Sequence, residues 1–412
     1  NISATNLQSD APVVTGTINA SGPDLPTLLE VAGQLQGGNS ELARYGREMQ
    51  QAPDQSFLVD TNFDADFSAG TIEIPALEFR ALGTTVSGAV SAGNLNTETP
   101  VFNGHLNASG PDLPLLIQVI GQVTEGKESA LNTYGRQLRT VSNKSFAIDA
   151  PFDVNMATGS IDLSNIDARF LGFKVTGNVQ GNDFQSNNGS LDGQININSG
   201  NLGQILTAID QPDLGEVLES LDFEARISGS RNSMTISPMT LDLALSGPDI
   251  PNSPVILALN ADTTVNLDSE SLTASNISLT GLGVNLEGEL SLTDYASAMN
   301  YSGQVSLPAF NLRRLMQQLN QELPPTMDNT VFQNFSVVSD FSGSTDSLNL
   351  SNLDATLDDS RFAGELTLTE ISTSIATPDT NFALDVSTIN LDRYLAPESE
   401  SLESDDIGNT EL

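Results

Sequence analysis

One fourteen-residue pattern recurs along this chain and restricts its fold more than any other feature. The clearest copy is Gly303-Gln304-Val305-Ser306-Leu307-Pro308-Ala309-Phe310-Asn311-Leu312-Arg313-Arg314-Leu315-Met316. A glycine opens an alternating run. An Asx residue eight positions on has the chemistry of a helix N-cap, and Leu-x-x-(Leu/Ile)-(Leu/Ile/Met) then supplies an apolar helical face. Gly16 leads in the same way to Asp24, Leu25, Leu28 and Leu29; Gly104 to Asp112, Leu113, Leu116 and Ile117; Gly193 to Asn201, Leu202, Ile205 and Leu206. A truncated fifth copy is Ile389-Asn390-Leu391-Asp392-Arg393-Tyr394-Leu395.

The Asx residues at 24, 112, 201, 311 and 390 are spaced by 88, 89, 110 and 79 residues. Such a period is long for a solenoid, so each unit must hold several strands beside its helix. The reading is one elongated body over 1–395: the end of a preceding repeat (1–15), four repeats (16–103, 104–192, 193–302, 303–380) and a truncated start (381–395). The first two repeats are near duplicates, with Tyr45-Gly46-Arg47 returning as Tyr134-Gly135-Arg136, a pair read as packing and turn residues. The acidic, Ser-rich stretch 396–412 has no periodicity and reads as a disordered tail or linker.

Between the helical pieces the chain alternates. In Phe57 to Phe67 the apolar residues Phe57, Val59, Phe63 and Phe67 share one face, and Asp60, Asn62, Asp64 and Asp66 the other. Ile72 and Ile74 continue the pattern, as do Phe146, Ile148, Phe152, Val154 and Met156 a repeat later, and Val284 and Leu286 further on. Turn signals every ~8 to 12 residues are those of an antiparallel meander. Gly247-Pro248-Asp249-Ile250-Pro251 resembles the start of a helix without an apolar face to follow, and reads as a loop inserted between strands. The fold class expected is mainly β: an elongated, repeat-built antiparallel sheet curled into a partly open apolar groove, with one short helix per repeat. An apolar trough would hold acyl chains away from water; an ordinary dry core is the competing reading.

Charge removes several functions. A net charge of −38, from 53 acids against 15 Lys and Arg, repels phosphate backbones and argues against nucleic-acid binding or a lysine-driven grip on anionic headgroups. Without cysteine there is no thiolate or disulfide chemistry. The only histidine, His105, falls in the repeat beside Thr17, Gln194 and Gln304, polar outward positions that do not suit a triad. Asp64 with Asp66, and Asp358 with Asp359, read as hydrated surface, since no calcium-loop pattern surrounds them. No catalytic residue, metal ligand or cofactor is expected. Gly281-Leu282-Gly283 reads as a turn, and Arg313 and Arg314 as surface residues that could meet a phosphate or a partner.

Residues 310–319 with Glu322-Leu323-Pro324-Pro325-Thr326-Met327-Asp328 resemble the C-terminal signature of the AsmA family of bacterial envelope proteins, carried by Asn311, Leu312, Leu315, Leu323, Pro324 and Pro325. The resemblance implies a periplasmic β-groove anchored to the inner membrane by a transmembrane helix. The implied activity is bridge-type phospholipid transfer between inner and outer membrane in support of outer-membrane biogenesis, with phospholipid acyl chains as cargo and an outer-membrane or periplasmic protein as partner. The anchor is missing here, and no stretch reaches about 18 uninterrupted apolar residues, so the chain reads as an excised periplasmic portion. Two other classes remain: an extracellular or periplasmic repeat scaffold or adhesin with a closed core, and a polysaccharide-active enzyme on a β-solenoid.

Overall fold

Alternating sequence dominates the structure as it does the chain: 57% of the described residues are strand and 17% helix. The computed structural model describes residues 2–5, 12–35, 40–50, 52, 54–124, 129–183, 186, 189–230, 232–247, 250, 252–297, 299–371 and 378–396. The expected tail therefore lies outside the described residues, except for its first residue. Two compact units are present, Asn1–Gly281 with Glu289–Met299, and Leu282–Gly288 with Asn300–Leu412.

In the first unit the strands run β1 (Ile2–Thr5), β2 (Val13–Gly22), β3 (Phe57–Asp66), β4 (Thr71–Ala81), β5 (Thr84–Gly93), β6 (Val101–Gly110), β7 (Phe146–Asn155), β8 (Ser160–Phe170), β9 (Phe173–Asn182), β10 (Ser190–Ser199), β11 (Leu218–Gly229), β12 (Ser233–Leu245), β13 (Val255–Asn266) and β14 (Ser271–Gly281). Each pairs antiparallel with the next in sequence. Among the described residues no pair joins the outermost strands, so the sheet is an open meander and not a closed barrel. Helices interrupt it at intervals: α1 (Leu25–Leu35) and α2 (Glu41–Met49) before β3, α3 (Leu113–Thr124) and α4 (Ala130–Gln137) before β7, α5 (Leu202–Ala208) and α6 (Pro212–Gly215) before β11. Strand β15 (Val284–Thr293) is divided between the units. The second unit holds β16 (Asn300–Phe310), α7 (Leu312–Gln318), β17 (Phe335–Ser344), β18 (Ser347–Leu357), β19 (Ser360–Thr369), β20 (Asp379–Val386) and a 3-10 turn at Leu391–Arg393. Strands β16 to β20 are again a sequential antiparallel meander.

The repeat is thus four strands plus a helical crossing, and the first three crossings are helix pairs where one short helix per repeat was expected. Asp24, Asp112 and Asn311 each accept a hydrogen bond from the N–H three residues on (2.8, 2.9 and 2.7 Å). Asn201 does not cap: its amide donates to the Leu171 carbonyl at 3.0 Å, tying α5 to the β8–β9 turn. The glycines of the duplicated Tyr-Gly-Arg motif set the helix spacing. A Cβ on Gly46 would lie 2.5 Å from the Pro26 carbonyl oxygen, and one on Gly135 2.7 Å from the Gln118 nitrogen, so only glycine lets the two backbones approach.

Two clusters of buried apolar side chains lie where the helix pairs meet the strand ends. One cluster is Ala52, Ala81, Leu82, Leu115 and Val119, the other Leu138, Val141, Leu171, Ile205 and Ala208. Leu82 and Leu171 belong to two-residue Leu-Gly turns with positive φ at both positions (55° and 74°; 53° and 88°). A leucine there is strained, and burial of its side chain offsets that strain. Gly281-Leu282-Gly283 builds the same turn between β14 and β15, as the sequence suggested.

The long spacing between the third and fourth Asx residues also has an explanation. The described part of the Gly247 loop joins β12 to β13, two strands after the α5–α6 crossing and four strands before α7. Counting from it, β11–β12 is a two-strand half-repeat and β13–β16 a full four-strand one.

Candidate functional site

The register of the strands builds the candidate surface. Strand pairing aligns Val59, Phe79, Val86, Ala108, Ile148, Ala168, Val175, Ile197, Phe223, Leu241, Leu259 and Leu279 in one row from β3 to β14. Nearer the other strand ends a second row runs Ala65, Ile72, Ala92, Phe102, Val154, Ile161, Gly181, Leu191, Gly229, Met234, Val265 and Leu272. Neither row contains a polar side chain. In the second unit Leu307, Val337, Ala355, Phe362 and Val386 form such a row, and so do Gly303, Phe341, Leu350, Leu366 and Phe382.

What keeps both rows on one face is a mid-strand bulge. In β4 the apolar residues are Ile72 and Ile74, then Leu77 and Phe79; the parity changes across Pro75 and Ala76, where one extra residue enters the register. The same device sits in β8 between Leu163 and Ile166, in β12 between Ile236 and Met239, in β14 beside Asn276, and in β18 between Leu350 and Leu353. Without the extra residue the second half of each strand would turn its apolar set to solvent. Asn165, Asn276 and Asn352 take the left-handed conformation at these bulges, with φ of 51° to 55°, which asparagine tolerates better than most residues. Asn276 donates to Asp262 (2.7 Å) and Asn352 to Asp340 (2.6 Å), fastening each bulge to the neighbouring strand. A bulge bends its strand, and added length on the polar side favours concavity on the apolar side.

Of the residues expected to line a groove, Phe57, Val59, Phe63, Ile72, Ile74, Phe146, Ile148, Phe152 and Val154 share this face in the first unit. Phe146 is buried and Ile148 is 38% exposed. Three phenyl rings lie over backbone glycines: a Cβ on Gly22, Gly110 or Gly104 would come within 2.6, 2.6 or 2.8 Å of Phe57, Phe146 or Phe152. Phe67 and Met156 keep the parity but fall just past the ends of β3 and β7, Phe67 being half-exposed in the turn. Val284 and Leu286 are half-buried on β15.

The opposite face is acidic to an unusual degree. Asp60 stands across from Glu78, Asp64 from Glu73, Asp149 from Asp167, Asp153 from Asp162 and Asp222 from Asp242. Like charges so placed repel; Arg80 beside Glu78 and Arg169 at 3.0 Å from Asp167 interleave cations among them, and the His105 ring lies beside Asp149. His105 is half-exposed on this face, where the sequence placed it. Among the described residues no group of three or more His, Cys, Asp or Glu is arranged to hold a metal ion, and no helix is long and apolar enough to cross a membrane.

The segment with the family-like signature is built around a polar clasp that sequence reasoning missed. Asp358 was read as hydrated surface; instead its carboxylate accepts from the N–H groups of Phe332 (2.8 Å), Gln333 (2.9 Å) and Asn334 (3.2 Å) and from the Tyr394 hydroxyl (2.8 Å). Burial works against its charge, but these donors outweigh burial and hold its pKa below the usual carboxylate range. Burial and that same hydrogen bond push Tyr394 up to about 12. Arg393 spans Asp328 (2.7 Å) and Asp359 (3.0 Å). The Thr330 hydroxyl and N–H, with Arg393, bring Asp328 down to about 2. Arg313 is tied to the same loop, its Nε donating to the Val331 carbonyl at 3.1 Å and its backbone N–H to that of Phe332 at 2.7 Å. Asn311 caps α7, Leu312 and Leu315 are half-buried on it, and Leu323-Pro324-Pro325 is irregular chain between α7 and β17.

Comparison with known protein families, with curated proteins and with solved structures finds no match for this chain.

Proposed function

We propose that this chain carries phospholipid acyl chains on the apolar face of a β-groove, as a bridge-type, non-enzymatic lipid-transfer protein. The observation that supports this most is the pair of apolar rows crossing twelve strands, whose larger side chains all stay partly exposed. Acyl chains on such a floor exchange one apolar neighbour for the next as they move, with headgroups left in water, so translation meets no large barrier. The resemblance of residues 310–328 to the AsmA signature supplies the setting: periplasm, inner-membrane anchorage in the full-length protein and delivery toward the outer membrane.

The test is native mass spectrometry of the purified chain with extraction of what co-purifies. Phospholipid at reproducible stoichiometry is expected, and its loss in a folded Phe63→Asp/Phe152→Asp double variant. A folded wild-type chain that carries no lipid, and takes none up from phosphatidylethanolamine/phosphatidylglycerol vesicles, would overturn the proposal in favour of a scaffold closed on its own core.

A further inference from the structure

The strands of the first unit have two kinds of end. On one side lie the helical crossings and Leu-Gly turns, where Leu25, Met49, Leu113 and Ile117 pack with the floor residues Phe79, Phe170 and Phe173 against the buried clusters. An acyl chain leaving on that side would displace a packed helix. On the other side run hairpin turns, tied to the turn before by one backbone N–H at a repeated position: Phe67 to the Pro12 carbonyl (3.1 Å), Leu95 to Gly70 (2.9 Å), Met156 to Pro100 (3.0 Å) and Leu267 to Asn232 (2.8 Å). The side chains at this position are large and apolar, and Phe67, Leu95 and Leu267 are 50%, 37% and 57% exposed. The apolar floor is therefore covered on the helix side and reaches the rim on the hairpin side. Charge divides in the same way. Among their described residues the hairpin turns from β3 to β14 carry Glu98, Asp183, Asp268 and Glu270 and no lysine or arginine; Arg231, between β11 and β12, lies outside the described residues. Arg44, Arg47, Arg136, Arg139 and Lys144 belong to the helical crossings.

We propose that lipid headgroups leave the groove over the hairpin side, and that this rim takes zwitterionic headgroups in preference to anionic ones. The inference rests on the lipid reading above and adds to it the class of headgroup. A phosphate beside these carboxylates is repelled unless its own headgroup brings a cation. An ethanolamine ammonium is such a cation and donates charge-assisted hydrogen bonds to carboxylates. A glycerol headgroup offers only hydroxyls, so its phosphate charge stays uncompensated.

The test is to incubate the chain at low salt with vesicles of equal phosphatidylethanolamine and phosphatidylglycerol, separate it, and quantify its lipid by mass spectrometry. Both lipids come from one vesicle, so repulsion between chain and vesicle is common to them. Ethanolamine lipid should be enriched roughly threefold over the vesicle, the effect in water of one carboxylate about 7 Å away. The enrichment should shrink at about 0.3 M salt. Glu98→Lys/Asp268→Lys, at exposed turn positions, should abolish or reverse it with total lipid unchanged. Asp213→Lys/Glu216→Lys, an equal change of charge at an exposed helical crossing, should leave it intact. Bound lipid with the vesicle's own composition or richer in glycerol headgroups, a ratio that the turn variant leaves unchanged, or one that both variants shift alike would overturn the headgroup assignment while the groove stands. A folded chain that carries no lipid would overturn both.

Discussion

Leu171 sits in a two-residue turn, where surface polarity is usual, with a backbone conformation that costs leucine energy; it is nonetheless 5% exposed and packed among Leu138, Val141, Ile205 and Ala208. Leu171→Ala should therefore cost about 2–4 kcal/mol in chemical denaturation, the range of a buried leucine truncation. The sequence-alike Leu282 is only half-buried, so Leu282→Asn should be near neutral. The clasp gives a second residue-scale expectation. Asp328 is more acidic folded than unfolded, so its contribution is present above about pH 4 and lost as pH falls toward 2. Tyr394 is less acidic folded, so its contribution is full below about pH 10 and lost as pH rises through 12. Near-ultraviolet circular dichroism should follow a loosening of the second unit at both extremes, with Asp328→Asn reducing the acid limb, which Asp358 shares, and Tyr394→Phe removing the alkaline one.

Among the elements, the helix pairs depend on contact between backbones. Gly135→Ala would ordinarily favour a helix. Here the new methyl would press on the Pro114 carbonyl and Gln118 backbone, which cannot move aside as a side chain can, so a loss of about 1–3 kcal/mol is expected in thermal or denaturant unfolding. How much of this was legible depended on range. The Asx-Leu helix starts stood out because capping and periodicity are local, and they placed α1 and α3 closely. The alternation of Phe57 to Phe63 was equally local. Parity changes in β4 and β8 passed unread, because Ile72 and Ile74 align with Leu77 and Phe79 only once the bulge is known, and a bulge is defined by a partner strand. The clasp was invisible for the same reason: Asp328, Asp358 and Arg393 are brought together by pairing and loops, with nothing in their spacing to announce it.

For the molecule as a whole, acid facing acid across strands predicts an unusual response to salt. Chains held by surface ion pairs weaken as ions screen them; here screening relieves repulsion between registered carboxylates. The melting temperature should rise when sodium chloride goes from about 10 mM to 0.3 M, and Asp153→Asn/Asp222→Asn should raise it at low salt while flattening that rise. One feature of the connections reaches further. Six strands, β11 to β16, separate the helical crossings at α5–α6 and α7 where four separate the earlier ones, so the connections accommodate one extra hairpin. The sheet is therefore extensible in quanta of one hairpin, each adding about 10 Å without reversing which side is greasy. Span is a separately adjustable dimension of this architecture, and a lineage could lengthen or shorten it by duplicating or losing two strands while every remaining residue keeps its neighbours.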